Sequence, residues 1–281
     1  MRSEVTHSSN QKRVALLDDL VSANHILYDH GIVDGFGHVS VRHPERSDRF
    51  WLSASVAPGL VSPNDILTYD LHGQPIDAGD RKSYLERFIH SEIYGRRPDA
   101  MAVVHSHAAT VLPFTVSTVR LRPICHMAGF LREVPRHDLR TATGRMTDLL
   151  VRDGTMGCGL AVQLGDNAVV LMRGHGFAAV GESLQEAVFR SIYTEHSARL
   201  QQNTIALGGD IVYLDDEEAV LAERANAGQY ERPWRLWKRE SEVTASSVTR
   251  LTRLTCRSDM RPHNGKRRRF PIKLANTGPV A

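Results

Sequence analysis

The hydrophobic pattern of this chain alternates between helical and extended periods, which predicts a mixed α/β domain. Apolar residues spaced three and four apart, with their flanking residues, predict helices at 11–30, 83–95, 141–153 and 184–207. Short apolar runs separated by turn residues predict strands at 38–42, 49–53, 65–70, 100–107, 168–176 and 177–181. Strands and helices do not alternate regularly. The pattern therefore favours a three-layer α-β-α domain around a mixed, largely antiparallel sheet.

Charge is distributed unevenly along the chain. Residues 241–281 carry nine Lys or Arg against two acidic residues and show no convincing apolar period. They predict a basic, disordered tail, and the KRRR run at 266–269 fits a solvated segment. The other 240 residues carry 26 basic and 30 acidic residues, a net charge of −4. This argues against a nucleic-acid-binding surface on the folded part, which we expect to span 11–240 after a disordered segment at 1–10.

Cysteine usage and hydropathy bear on the compartment. The three cysteines, Cys125, Cys158 and Cys256, show no CxxC spacing, so a disulfide framework is not expected. No apolar stretch reaches the length of a membrane span, and the first residues lack the apolar core of a secretory signal. These features predict a cytoplasmic protein without a membrane partner.

Histidines and one glutamate form a candidate metal site. His105 and His107 lie two apart on a predicted strand, so both side chains point to one face. His175 lies between two glycines directly after another strand, and Glu86 lies four residues before His90 on a predicted helix. Each pattern has a simpler interpretation as polar strand ends, an exposed turn or a solvated helix pair. Together, three imidazoles and one carboxylate suit Zn²⁺, Mn²⁺, Fe²⁺ or Co²⁺.

Four segments in this order resemble the class II aldolase/adducin family over about residues 11–210: GHVSVR (37–42), ERFIH (86–90), RPDAMAVVHSH (97–107) and MRGHG (172–176). The resemblance implies a class II aldolase-like α-β-α domain and a homotetramer with active sites at subunit boundaries. It also implies one divalent metal ion per subunit, held by His105, His107 and His175. Glu86 would be a fourth ligand or the acid/base.

Three departures from the family pattern fall on the sugar-phosphate apparatus. Sugar-phosphate aldolases of the family usually carry Ser-Ser before the glutamate, where this chain has Tyr84 and Leu85. Their Thr-Gly phosphate loop corresponds to Ser55-Val56, and their early Gly-Asn corresponds to Gly37-His38. These departures disfavour a phosphorylated substrate.

The segments GHVSVR, LERFIHSEIY and CHMAGF resemble a decarboxylase branch of the family instead. That branch acts on small aromatic acids with a hydroxyl beside the departing carboxylate. The resemblance implies 3,4-dihydroxyphthalate or a hydroxypyridine dicarboxylate as substrate, in aromatic catabolism. Our hypothesis is that the ionised hydroxyl binds the metal and that Glu86 or a nearby group protonates the ring carbon.

The predicted substrate contacts are His38, Ser55 and Arg173. His38 would hydrogen-bond the hydroxyl or the carboxylate, although a structural strand histidine is the alternative. Arg173 is one of four candidates for a carboxylate clamp, with Arg42, Arg122 and Arg132. Two other functions stay open: a retro-aldolase on an unphosphorylated sugar or hydroxy acid, and a non-catalytic adducin-like scaffold.

Overall fold

The chain folds around a seven-stranded sheet with the order β3-β2-β1-β4-β7-β6-β5. The computed structural model describes residues 2–258, and side chains for 10–244. The strands are β1 (His38–Arg42), β2 (Arg49–Ser53), β3 (Ile66–Asp70), β4 (Ala102–Ser106), β5 (Arg136–His137), β6 (Val169–Met172) and β7 (Gly176–Gly181). Only the β5–β6 pair is parallel, so the predicted mixed, largely antiparallel sheet is confirmed.

Eight α-helices accompany the sheet in the described residues. They are α1 (Arg2–Asp29), α2 (Arg87–Arg96), α3 (Leu112–Val116), α4 (Leu139–Thr143), α5 (Gly154–Leu164), α6 (Leu184–Leu207), α7 (Asp216–Asn226) and α8 (Glu231–Ser258). Within the described part of the chain, no helix combines the length and the apolar character that spanning a membrane requires.

Alternating side chains divide the core into two layers, one on each face of the sheet. Val104 packs into a layer that includes residues of α1 and α6, and its neighbour Val103 packs into the opposite layer with α2 and α5. The period of two in a strand causes this division, since successive side chains point to opposite faces. The predicted three-layer architecture is therefore confirmed, and His105 lies on the α2/α5 face with Val103.

The helix at each end of the chain extends further than the sequence suggested. Helix α1 begins at Arg2, within the segment expected to be disordered, and ends before Gly31, which has a φ of +67°. Helix α8 continues to Ser258, into the segment from residue 241 for which the sequence predicts disorder. Neither Gly nor Pro interrupts 2–29 or 234–258, so no residue in either stretch breaks the helix. Residues 259–281 lie outside the described part.

Two central helices differ from their predicted bounds. The helix expected at 83–95 begins only at Arg87, with Glu86 at its N-cap position, because Ser83 forms a β-bridge with Ala54. The prediction of a helix over 141–153 is wrong beyond Thr143, because Gly144 adopts a φ of +68° and ends α4. Helix α5 follows at 154–164, in a glycine-rich stretch that the pattern did not predict as helical.

The glycines of α5 let it approach α2 closely, and we expect Gly157→Ala to lower the free energy of unfolding by about 1–3 kcal/mol. A Cβ at Gly157 would lie 2.5 Å from the Phe88 carbonyl oxygen, a backbone atom that cannot rotate away. The control is Gly95→Ala on α2, where an added Cβ meets nothing within 4 Å. It is expected to be neutral or slightly stabilising. Urea unfolding of both variants measures the difference, and equal midpoints would contradict the prediction.

Candidate metal centre

Three elements of the fold bring Glu86, His105, His107 and His175 together. His105 and His107 lie at the carboxyl end of β4, and His175 lies in the turn between β6 and β7. Because β4 and β7 are antiparallel, the end of β4 lies beside the start of β7. One donor atom from each of the four residues lies within 4.8 Å of the other three.

The hydrogen bonds of the histidines direct their free nitrogens toward one point. His105 Nδ1 lies 3.1 Å from the Phe177 carbonyl oxygen, and His175 Nδ1 lies 2.8 Å from that of Leu149. A carbonyl oxygen only accepts, so both Nδ1 atoms carry the proton and both Nε2 atoms keep a lone pair. His107 Nε2 lies 2.9 Å from Nε2 of His105 and 3.0 Å from Nε2 of His175. Converging lone pairs of this kind fit a shared cation, so the residues present fit a divalent metal ion.

Glu86 completes the cluster from the N-cap of α2. Its Oε1 accepts a hydrogen bond of 2.9 Å from the Val151 N–H, and Oε2 lies 3.3 Å from His175 Nε2 and 3.6 Å from His105 Nε2. Burial alone would raise the pKa of Glu86, but its interactions with the two histidines outweigh burial and hold that pKa far below its ordinary value. The carboxylate is therefore ionised and available as a donor.

The segment between α4 and α5 supports the cluster, and sequence analysis did not identify it. Leu149 has a φ of +69°, a strained conformation for a residue other than glycine, and its carbonyl orients His175. Val151 orients Glu86 through its backbone N–H. Both contacts come from the main chain, so no side-chain motif could have revealed them.

His38 lies beside the cluster on the neighbouring strand. It is paired with His105 across β1 and β4, and the two ring centroids are 5.1 Å apart. Its Nδ1 lies 2.6 Å from Nε2 of His90. His90 therefore contacts His38 and is not one of the four candidate metal ligands. Burial lowers the pKa of His90 to about 3 and that of His38 well below its ordinary value, so both imidazoles are neutral.

The other two predicted substrate contacts, Ser55 and Arg173, are not among the four clustered residues. Ser55 is exposed, and its N–H donates to the Lys82 carbonyl. The Arg173 guanidinium lies 2.9 Å from the Asp138 carboxylate.

The three alternative arginines have structural partners. Arg42 is buried and donates to four backbone carbonyls, which occupies its guanidinium. Arg122 lies over the Tyr213 ring, and Arg132 is paired with Glu223.

We expect the affinity for Zn²⁺ to decrease as the pH falls through the neutral range. Burial lowers the pKa of His175, but the hydrogen bond and the charge of Glu86 outweigh it, so that pKa lies above its ordinary value. Protons therefore compete with the metal, at a cost of about tenfold in affinity per pH unit below the pKa. Glu86→Gln should move the onset to lower pH, whereas Glu92→Gln on the same helix should not. Calorimetric titrations across this range provide the test, and a pH-independent affinity would contradict it.

Comparisons with known proteins agree with this geometry. A family model described as the Class II Aldolase and Adducin N-terminal domain matches residues 18–202. The decarboxylase tropJ of Talaromyces stipitatus is 42% identical over 246 residues, which cover 79% of this chain and 92% of that protein. A 3,4-dihydroxyphthalate decarboxylase of Arthrobacter keyseri is 29% identical over 85% of this chain and 95% of its own length.

A solved structure confirms the predicted fold. An aldolase II superfamily protein from Pseudomonas syringae superposes with a TM-score of 0.70 at 22% identity, covering 83% of this chain and 94% of the other. The decarboxylase relatives, which align over nearly their whole length, show that the chain is a lyase. The matched region, the fold and the relatives lead to one assignment: the chain belongs to the class II aldolase and adducin family.

Proposed function

We propose that this lyase is a divalent-metal-dependent decarboxylase acting on an aromatic acid with a ring hydroxyl beside the departing carboxylate. The observation that carries the proposal is the convergence of three imidazoles and one ionised carboxylate within 4.8 Å of one another. A 42% identical decarboxylase supports the reaction class, and relatives named for 3,4-dihydroxyphthalate support the substrate class. The intact cluster argues against a non-catalytic scaffold.

The surroundings of Tyr84 support an unphosphorylated substrate. This residue stands where related sugar-phosphate aldolases usually carry a serine hydroxyl. Its hydroxyl contacts Ser53 Oγ and donates to the Val56 carbonyl, and its ring lies 4.6 Å from that of His38. An aromatic ring that fills this space suits a flat ring better than a solvated phosphate group.

The proposed reaction breaks the bond between the ring carbon and the carboxylate carbon. The electron pair passes to the ring carbon, CO₂ leaves, and that carbon gains a proton. When bound, a divalent ion supplies a Lewis acid that stabilises negative charge on oxygen. The Glu86 carboxylate lies within the cluster, where it can take a proton from a substrate hydroxyl and return it to the ring carbon. The neighbouring His38 would hydrogen-bond a substrate oxygen, while Ser55 and Arg173 remain proposed contacts.

The proposal is tested by CO₂ release from 3,4-dihydroxyphthalate and from 3-hydroxy-2-methylpyridine-4,5-dicarboxylate. The enzyme is loaded with Mn²⁺ or Zn²⁺, and a chelated sample is the control. Phthalate without hydroxyls should give no CO₂, because ring ketonisation needs the hydroxyl. Absence of CO₂ from both hydroxylated acids, with the metal still bound, would refute the proposal. An aldehyde released from unphosphorylated sugar acids would then establish the retro-aldolase alternative.

We also propose that the chain forms a homo-oligomer, a tetramer by family resemblance. Light scattering of the full chain would give its mass directly. The ions we propose to compete for the site are Zn²⁺, Mn²⁺, Fe²⁺ and Co²⁺, since imidazole and carboxylate ligands accept all four. Metal analysis after purification without added metal would identify the resident ion.

A further inference from the structure

A row of four buried polar side chains links helix α2 to strand β1 and ends beside the candidate metal site. Tyr94 Oη lies 2.8 Å from Ser40 Oγ, and Ser40 Oγ lies 2.6 Å from His90 Nδ1. His90 Nε2 lies 2.6 Å from His38 Nδ1. The row alternates between the two elements, because His90 and Tyr94 are four apart on α2 while His38 and Ser40 are two apart on β1. All four residues are buried.

The far end of the row fixes the direction of its hydrogen bonds. Tyr94 is 2% exposed, and Ser40 Oγ is the one acceptor recorded for its hydroxyl among the described residues. The Arg42 guanidinium lies over the Tyr94 ring, 4.7 Å from its centroid, and a guanidinium can only donate. A buried hydroxyl needs an acceptor for its proton, so Tyr94 donates to Ser40.

Each later bond follows from the one before it. Ser40 Oγ accepts from Tyr94, and its own proton has His90 Nδ1 as its recorded acceptor. His90 Nδ1 is therefore without a proton, and in a neutral imidazole the proton then lies on Nε2. His90 Nε2 donates to His38 Nδ1, which leaves the proton of His38 on Nε2. In the described part of the chain, His38 Nε2 has no recorded partner.

We propose that Tyr94, Ser40 and His90 are positioning residues that hold His38 as the Nε2–H tautomer, so that it acts as a hydrogen-bond donor to the substrate. The identity of the group that accepts this hydrogen bond, a substrate oxygen, rests on the proposed function. A donor at this position selects an oxygen that offers a lone pair: a phenolate or a carboxylate oxygen. An acceptor there would instead favour a protonated hydroxyl. The row therefore favours an anionic oxygen of the hydroxyaryl acid, a carboxylate or a hydroxyl that has given up its proton, as the group that His38 binds beside the candidate metal site.

The tautomer can be observed without any substrate. Full-length enzyme containing ¹⁵N-labelled histidine is loaded with Zn²⁺, and nitrogen–proton correlation spectra of the imidazoles are recorded. The His38→Asn variant identifies the His38 signals. We expect the wild type to show a proton on Nε2 of His38. Tyr94→Phe and Ser40→Ala should each give a mixture of both His38 tautomers. Each variant removes a hydroxyl whose hydrogen bond keeps the proton of His90 on Nε2.

Tyr69→Phe is the matched control, because Tyr69 is also buried but its hydroxyl donates to Ser83 outside the row. It should leave the His38 spectrum unchanged. With the hydroxylated acid as substrate, we expect kcat/KM to fall about tenfold in Tyr94→Phe but not in Tyr69→Phe, with the metal content unchanged in both.

A proton on Nδ1 of His38 in the wild type would overturn the inference. So would a His38 spectrum that Tyr94→Phe and Ser40→Ala both leave unchanged. Inactivity toward aromatic acids alone would refute the proposed function, while the spectra would still decide the tautomer.

Discussion

Replacing His107 with alanine is expected to abolish both metal binding and decarboxylation. Its Nε2 lies within 3.0 Å of the Nε2 atoms of both other histidines, so its loss leaves two imidazoles and one carboxylate. The Lewis acid of such a site contributes several kcal/mol to transition-state stabilisation, and 4 kcal/mol corresponds to about a thousandfold in rate. We therefore expect kcat/KM to decrease at least about a thousandfold.

His107 is the better choice for this experiment because it is partly exposed, whereas His105 is fully buried. Its removal leaves no large hole in the core, so loss of activity can be separated from loss of fold. The control is His196→Ala, a half-buried histidine on α6 outside the cluster. Metal content and CO₂ release are measured for both variants. If His107→Ala retained stoichiometric metal and wild-type activity, His107 would not be a metal ligand.

The part of the site that could be predicted depends on short-range spacing. His105 and His107 share a face because a strand has a period of two, and the neighbouring glycines marked His175 as a turn residue. The strands at 38–42 and 49–53 were also predicted correctly, since each is a compact apolar run between turns. Periodicity alone could not bring Glu86 to these histidines, and the family resemblance supplied that link.

The supporting contacts could not be predicted, because they depend on tertiary register. His90 was expected to share a face with Glu86, yet it contacts His38 and Ser40 across the α2–β1 interface. The main-chain groups of Leu149 and Val151 reach the cluster from a segment that was expected to be helical. Each is a long-range contact that depends on tertiary packing: α2 against β1 for His90, and the segment between α4 and α5 against the β6–β7 turn and Glu86 for Leu149 and Val151.

Glu86→Gln is expected to lower kcat about 10²- to 10⁴-fold while the protein stays folded. Glutamine keeps the shape of the side chain, and its amide oxygen can still accept the hydrogen bond that Val151 donates to Oε1. It loses the negative charge and the ability to carry a proton between two substrate atoms. A folded variant that retains near-wild-type turnover would exclude Glu86 from the chemistry, and Glu92→Gln on the same helix controls for the loss of a carboxylate.

The metal affinity of Glu86→Gln distinguishes its two proposed roles. If Oε2 is a ligand, the affinity should fall along with the rate, because an amide oxygen is a weaker donor than a carboxylate. If Glu86 is the acid/base, the metal should stay bound while turnover is lost. The neighbouring histidines hold the pKa of Glu86 far below its ordinary value, so it is ionised before the substrate binds. It must therefore accept a proton before it can donate one, and the ring hydroxyl is the substrate group that can supply it.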